Sequence, residues 1–128
     1  MTTPSLRVLL VDDDPDSREL LAMYLRGRGL EVSTAEDCSD AAAVFGSFTP
    51  DVAVVDLTLP DGDGCDLGAS FRAQNQRLRL VALSGHAGSD YRSRTRDAGF
   101  DEYLVKPVDP NRIFSVISAG PLVAATAS

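Results

Sequence analysis

Residues 51–56 read DVAVVD, four consecutive apolar side chains closed at each end by an aspartate. A strand with one wet face alternates apolar and polar residues. A run that is apolar on both faces belongs to a strand covered on both sides, as in a parallel sheet with helices above and below. The run LVAL at 80–83 has the same character. Working outward, short apolar runs bounded by turn residues recur at 6–11 (LRVLLV), 30–35 (LEVSTA), 78–84 (LRLVALS) and 101–105 (DEYLV), which with 51–56 makes five strands.

Helical patterns fill the intervals. Asp14 stands just before Pro15, so the first helix is expected to open with a carboxylate cap and a proline at its first position. Its stripe Leu20, Leu21, Tyr24 and Leu25 is spaced for one buried face, and Gly27 and Gly29 end it. A second helix over 39–47 carries Ala42, Ala43 and Val44 and is closed by Thr49 and Pro50. Helices over 66–73, over 89–98 before Gly99, and over 110–118 complete five βα units. Strict alternation with right-handed crossovers demands a doubly wound, five-stranded parallel sheet of the flavodoxin-like kind, a (βα)5 fold with strand order 2-1-3-4-5. The domain is expected over 1–119, with 120–128 a frayed tail.

Composition narrows the function classes. A length of 128 residues suits one core rather than two. The net charge of −7 repels a phosphate backbone, so no direct nucleic-acid partner is expected. Nothing approaches eighteen consecutive apolar residues or a signal peptide, which points to the cytoplasm and to no membrane partner. Cys38 and Cys65 lie far apart and away from His86, the one histidine, so they read as small semi-buried hydrophobes rather than zinc ligands or a disulfide.

Chemistry concentrates at the carboxyl ends of the strands, where an open α/β sheet places its ligand crevice. The first strand ends in Asp12 and Asp13, the third in Asp56, the fourth in Ser84, and the fifth runs directly into Lys106. Carboxylates gathered at one edge repel each other by about 4 kcal/mol per pair at 4 Å in an effective dielectric of 20. They call for a hard cation such as Mg2+, with Lys106 offsetting a further charge and Ser84 adding a hydroxyl donor. That combination suits phosphoryl transfer, with Asp56, alone at the end of the most apolar strand, as nucleophile and Asp12 and Asp13 organising the metal.

In this order the motifs VDDDP (11–15), DLTLPDGDG (56–64), ALSG (82–85) and YLVKP (103–107) closely resemble the receiver domain of two-component response regulators, over about residues 6–117. The resemblance implies that Asp56 accepts a phosphoryl group from a phosphohistidine on a histidine kinase or phosphotransfer protein. Mg2+ would be held by Asp13 and Asp56 directly, by Asp12 through water and by the Thr58 carbonyl. It implies that Ser84 and Lys106 grip the phosphoryl oxygens and that Ser84 and Tyr103 form the switch. Thr58 and His86 would modulate hydrolysis, and a cis Lys106–Pro107 peptide would aim the lysine, although X-Pro bonds are cis only about one time in twenty. The output face would comprise the fourth helix, fifth strand and fifth helix, open to a downstream protein or a phosphorylation-dependent homodimer. Such a domain phosphorylates itself without turning over a conventional substrate.

Competing readings come from other classes. A dehalogenase-like phosphatase would need a second acid where Thr58 stands, and a flavodoxin relative would need an Asp-rich phosphate loop. An unphosphorylated docking module is a further alternative, although the full set of acids, serine and lysine argues against degeneration. DGDGCD at 61–66 does not fit a calcium loop, because alignment on Gly64 puts Leu59 at the first ligand position. Arg92, Arg94 and Arg96 read as a solvated helix face, with Arg92 and Arg96 on one side.

Overall fold

A computed structural model describes residues 6–85 and 89–118. In chain order the elements are β1 (Arg7–Val11), α1 (Pro15–Gly27), β2 (Glu31–Ala35), α2 (Cys38–Phe48), β3 (Val52–Asp56), β4 (Thr58–Leu59), β5 (Gly62–Asp63), α3 (Gly64–Gln74), β6 (Arg79–Ser84), α4 (Ser89–Ala98), β7 (Glu102–Val105) and α5 (Pro110–Ser118). The order β2-β1-β3-β6-β7, parallel throughout, is the expected 2-1-3-4-5 once only the strands of the main sheet are numbered. The architecture is the flavodoxin-like doubly wound sheet. A small antiparallel ribbon, β4 with β5, has no signal in the sequence, because strands of two residues are too short to carry a periodicity.

The central strands carry unbroken apolar runs because each feeds two cores. In β1, Val8 and Leu10 join the side formed with α1 and α5, while Leu9 and Val11 join the side formed with α2 and α3. β3 divides in the same way, Val52 and Val54 against Ala53 and Val55, as does β6, Val81 and Leu83 against Leu80 and Ala82. Alternate side chains of a strand point to opposite faces, so residues 8–11, 52–55 and 80–83 meet protein rather than water on both faces. On the second side Phe45 of α2 and Phe71 of α3 stack with ring centroids 4.1 Å apart. Burying a Phe side chain contributes about 1.5–3 kcal/mol, so this pair locks two helices to one face.

Local signals set the helix starts. Asp14 caps α1, accepting from Ser17 N–H at 3.4 Å and Ser17 Oγ–H at 2.6 Å, and Pro15 follows at the first helical position. The buried stripe of α1 is Leu21, Ala22 and Leu25, with Tyr24 partly buried; Leu20 is 65% exposed, contrary to the stripe expected from spacing. Ala22 completes the inward face, and Leu20 and Met23 fall outside it. In α2 the inward residues are Ala41 and Phe45, while Ala42 and Ala43 are exposed and Val44 is half-buried. Consecutive alanines carry no contrast from which to read a phase; Phe45 sets it. α3 starts two residues earlier than the sequence suggested, at Gly64, because Asp63 caps it by accepting from Cys65 N–H at 2.7 Å.

Cys38 and Cys65 are free thiols, half-buried and buried respectively. No helix among the described residues is long and apolar enough to cross a membrane.

Candidate functional site

The chain leaves β1 for β2 on one side, and β3 lies on the other, so the switch point falls at the carboxyl ends of β1 and β3. Backbone bonds carry the ladder one residue past three of the strands and so fix the residues at their ends. Asp12 N–H donates to Ala35 O at 3.1 Å, Leu57 N–H to Leu83 O at 2.9 Å, and Lys106 N–H to Ser84 O at 2.7 Å. Four of the expected residues meet there. Single carboxylate oxygens of Asp12, Asp13 and Asp56 lie within 4.8 Å of one another. Lys106 Nζ donates to Asp56 Oδ2 at 2.7 Å and stands 3.8 Å from Asp12 Oδ2.

Asp12 and Asp56 are only 3% and 5% exposed, whereas Asp13 opens to solvent. Each buried carboxylate is held by a backbone donor two residues on: Asp14 N–H to Asp12 Oδ1 at 3.0 Å, and Thr58 N–H to Asp56 Oδ1 at 3.0 Å. Burial pushes the Asp12 carboxyl above its ordinary value, aided by the charges of Asp56 and Asp13 and opposed by Asp14 N–H and Lys106. For Lys106, burial works to lower the value, but the hydrogen bond to Asp56 and the charges of Asp56, Asp12 and Asp13 outweigh it and raise it. The ammonium is therefore a fixed cation.

Three carboxylates against one ammonium leave two uncompensated negative charges when all three are ionised. An all-oxygen donor set of that charge suits a hard divalent cation that keeps part of its water shell, as Mg2+ does. The residues thus fit the metal that the sequence suggested.

The sequence profile of the response regulator receiver domain matches residues 8–118. The chain belongs to the response regulator receiver domain family. It is 32% identical over 118 residues to an uncharacterized 14.6 kDa protein of Leptolyngbya boryana, covering 91% of this chain and 90% of that one. It is 40% identical over 103 residues to transcriptional regulatory protein PrrA of Mycobacterium leprae (strain TN), covering 80% of this chain but 44% of that one. The receiver domain therefore spans most of the first relative and less than half of the second. Among solved structures it superposes with a TM-score of 0.91 on a CheY-like response regulator receiver domain protein from Methanospirillum hungatei JF-1. That likeness covers 98% of this chain and 100% of the other at 24% identity, and it speaks to the fold.

Of the other expected residues, Ser84, Tyr103 and Thr58 fall within the described structure. Ser84 ends β6, fully buried, one residue beyond the Leu83 that pairs with Asp56. Tyr103 pairs with Ala82 in the sheet, so it lies on the same face as Ser84, half-buried. Thr58 is exposed at the start of the ribbon. The Lys106–Pro107 peptide is cis. His86 lies outside the described residues.

Several contacts had no signal in the sequence because they join distant segments. Asp61, in the ribbon turn, accepts from Cys38 N–H at 2.8 Å and Ser39 N–H at 3.1 Å, tying the loop after Asp56 to the start of α2. The arginines of α4 are more than a solvated face. Arg94 pairs with Asp63, and the Arg92 guanidinium lies 4.8 Å from the centroid of the Tyr103 ring, a cation–π contact.

The raised Asp12 carboxyl has a measurable consequence. Its folded state holds the proton more tightly than the unfolded chain, whose ordinary value is 3.8. Its contribution is therefore most favourable below that value and is lost as the pH rises through the folded one. Asp12→Asn keeps an oxygen for Asp14 N–H and escapes the loss. In EDTA at neutral pH the variant should unfold at a higher temperature than wild type, with the difference shrinking in acid. A lower unfolding temperature at neutral pH would contradict the assignment.

Proposed function

We propose that this receiver domain accepts a phosphoryl group on Asp56 from a phosphohistidine of a histidine kinase or phosphotransfer protein, in a Mg2+-dependent reaction. The observation that carries the reading is the contact of Lys106 Nζ with Asp56 Oδ2 at 2.7 Å inside a cluster of three carboxylates. A carboxylate oxygen of Asp56 forms the new bond to phosphorus. The bond from phosphorus to the donor imidazole nitrogen breaks, and its electron pair leaves with that nitrogen. The ammonium of Lys106, paired with Asp56 beforehand, takes up a phosphoryl oxygen, and the Ser84 hydroxyl donates to another. Asp12, Asp13, Asp56 and the Thr58 carbonyl would hold Mg2+, which when bound supplies charge stabilisation on the phosphoryl oxygens.

The new group adds charge at the site and biases Ser84 and Tyr103 between two arrangements. The read-out face is α4, β7 and α5, available to a downstream protein or a second copy of the domain. Thr58 and His86 tune hydrolysis. The receiver unit is assigned to 1–119, with 120–128 outside the described residues, and works in the cytoplasm as a signalling module rather than a substrate-turnover enzyme.

Incubated with Mg2+ and acetyl phosphate, the wild-type chain should gain one phosphoryl mass by intact-mass spectrometry and Asp56→Ala none. An unlabelled wild type, or full labelling of Asp56→Ala, would overturn the reading. Turnover of p-nitrophenyl phosphate that depends on Asp56 would favour the phosphatase instead.

A further inference from the structure

Arg18 has no part in the motifs or in the phosphoryl transfer to Asp56. It stands near the start of α1, where its backbone N–H donates to Asp14 O at 2.9 Å as part of the helix. Its side chain turns back toward β1, and Nη1 donates to the carbonyl oxygen of Asp12 at 2.8 Å. Asp12 lies one residue beyond β1, and its N–H is taken by Ala35 O. One end of the Asp12 backbone is thus held by β2 and the other by α1. The carbonyl that Arg18 holds belongs to the peptide linking Asp12 to Asp13.

That peptide sets the direction of Asp13. Asp13 is exposed, yet its carboxylate belongs to the compact cluster with Asp12 and Asp56. Asp12 and Asp56 are packed, and a backbone N–H holds each carboxylate; Asp13 depends instead on the backbone from which it projects. We propose that Arg18 is a positioning residue for divalent-cation binding: by clamping the Asp12 carbonyl it holds the Asp12–Asp13 peptide so that Asp13 joins the carboxylate cluster. A planar guanidinium anchored on a helix gives this clamp a direction that a flexible ammonium lacks. The inference rests on the reading of the cluster as a Mg2+ site.

Charge and geometry predict opposite signs, which makes the test decisive. A cation near three carboxylates repels a second cation, so if Arg18 acted only through its charge, removing it would tighten Mg2+ binding. If it acts as a clamp, removing it weakens binding, and partners that orient metal ligands are worth about 10–100-fold in affinity.

Isothermal titration calorimetry of the whole chain with MgCl2 at neutral pH reads this without any phosphodonor. Arg18→Ala and Arg18→Met, the latter keeping the aliphatic stem, should each bind Mg2+ about tenfold or more weakly. Arg18→Lys should fall between them and wild type. Circular dichroism in EDTA confirms a folded chain for whichever variant is scored. Binding by Arg18→Met as tight as wild type, or tighter, overturns the positioning role while leaving the reading of the site intact. A wild-type chain that binds no Mg2+ overturns both.

Discussion

Asp13→Ala should abolish Mg2+-dependent labelling of the chain by acetyl phosphate, while Asp14→Ala, one residue further on, should leave labelling intact and lower only thermal stability. The two carboxylates differ in what they touch. Asp13 contributes an oxygen to the cluster with Asp12 and Asp56, so its loss removes one of three charges on which a divalent cation would rest. Asp14 turns toward the helix: it accepts from Ser17 N–H and Oγ–H, and the hydrogen bond from the Ser17 hydroxyl is the foremost influence holding its carboxyl below the ordinary value. Removing a cap of this kind leaves one of the orphan N–H groups at the helix start to water, a modest loss. Intact-mass spectrometry after a fixed incubation, with thermal unfolding of both variants, separates the outcomes. Equal loss of labelling in both would mean that the triplet is one functional unit.

The capping role of Asp14 was legible because its cues are local: Pro15 marks a helix start, and the residue before it is the cap. The sheet was legible for a related reason. Strands such as Val8 to Val11 and Val52 to Val55 are apolar at every position, which only a doubly covered sheet tolerates, and the rule that ligands gather at strand ends then brought Asp12, Asp13, Asp56, Ser84 and Lys106 to one edge. Orientation within a helix was less legible. Spacing alone could not choose between Leu20 and Ala22 for the inward face of α1, because a small residue that packs well gives a weak signal. The contacts of Asp61 with the start of α2 and of Asp63 with Arg94 were invisible for another reason: they span 22 or more residues and depend on the ribbon between β3 and α3. Arg18 had only a faint local cue, an arginine four positions after the cap, and nothing in its spacing shows that it reaches a carbonyl at the end of the preceding strand.

Two glycine-to-alanine changes should act in opposite directions, and the sign is set by the atoms each new methyl group meets. At Gly64 an added Cβ would lie 2.5 Å from the carbonyl oxygen of Asp56 and 2.6 Å from Leu57 Cα, both backbone atoms that no rotamer change can move. Gly64 N–H also donates to Leu57 O at 3.0 Å, so the start of α3 is bound to the segment it would have to leave. Forcing extra volume into a packed contact costs about 1–3 kcal/mol. Here the displaced backbone belongs to Asp56 and its neighbour, so Gly64→Ala should both lower the unfolding temperature and slow labelling of Asp56. Gly46 is the counterpart. It is exposed within α2, nothing lies within 4 Å of an added Cβ, and a helix-interior glycine is about 0.5–1 kcal/mol less favourable than alanine. Gly46→Ala should therefore raise the unfolding temperature and leave labelling unchanged. Thermal unfolding and mass spectrometry on the two variants side by side check both signs. A Gly64→Ala variant that labels at the wild-type rate would show that the Asp56 backbone can yield without disturbing its carboxylate, and that the close approach serves packing alone.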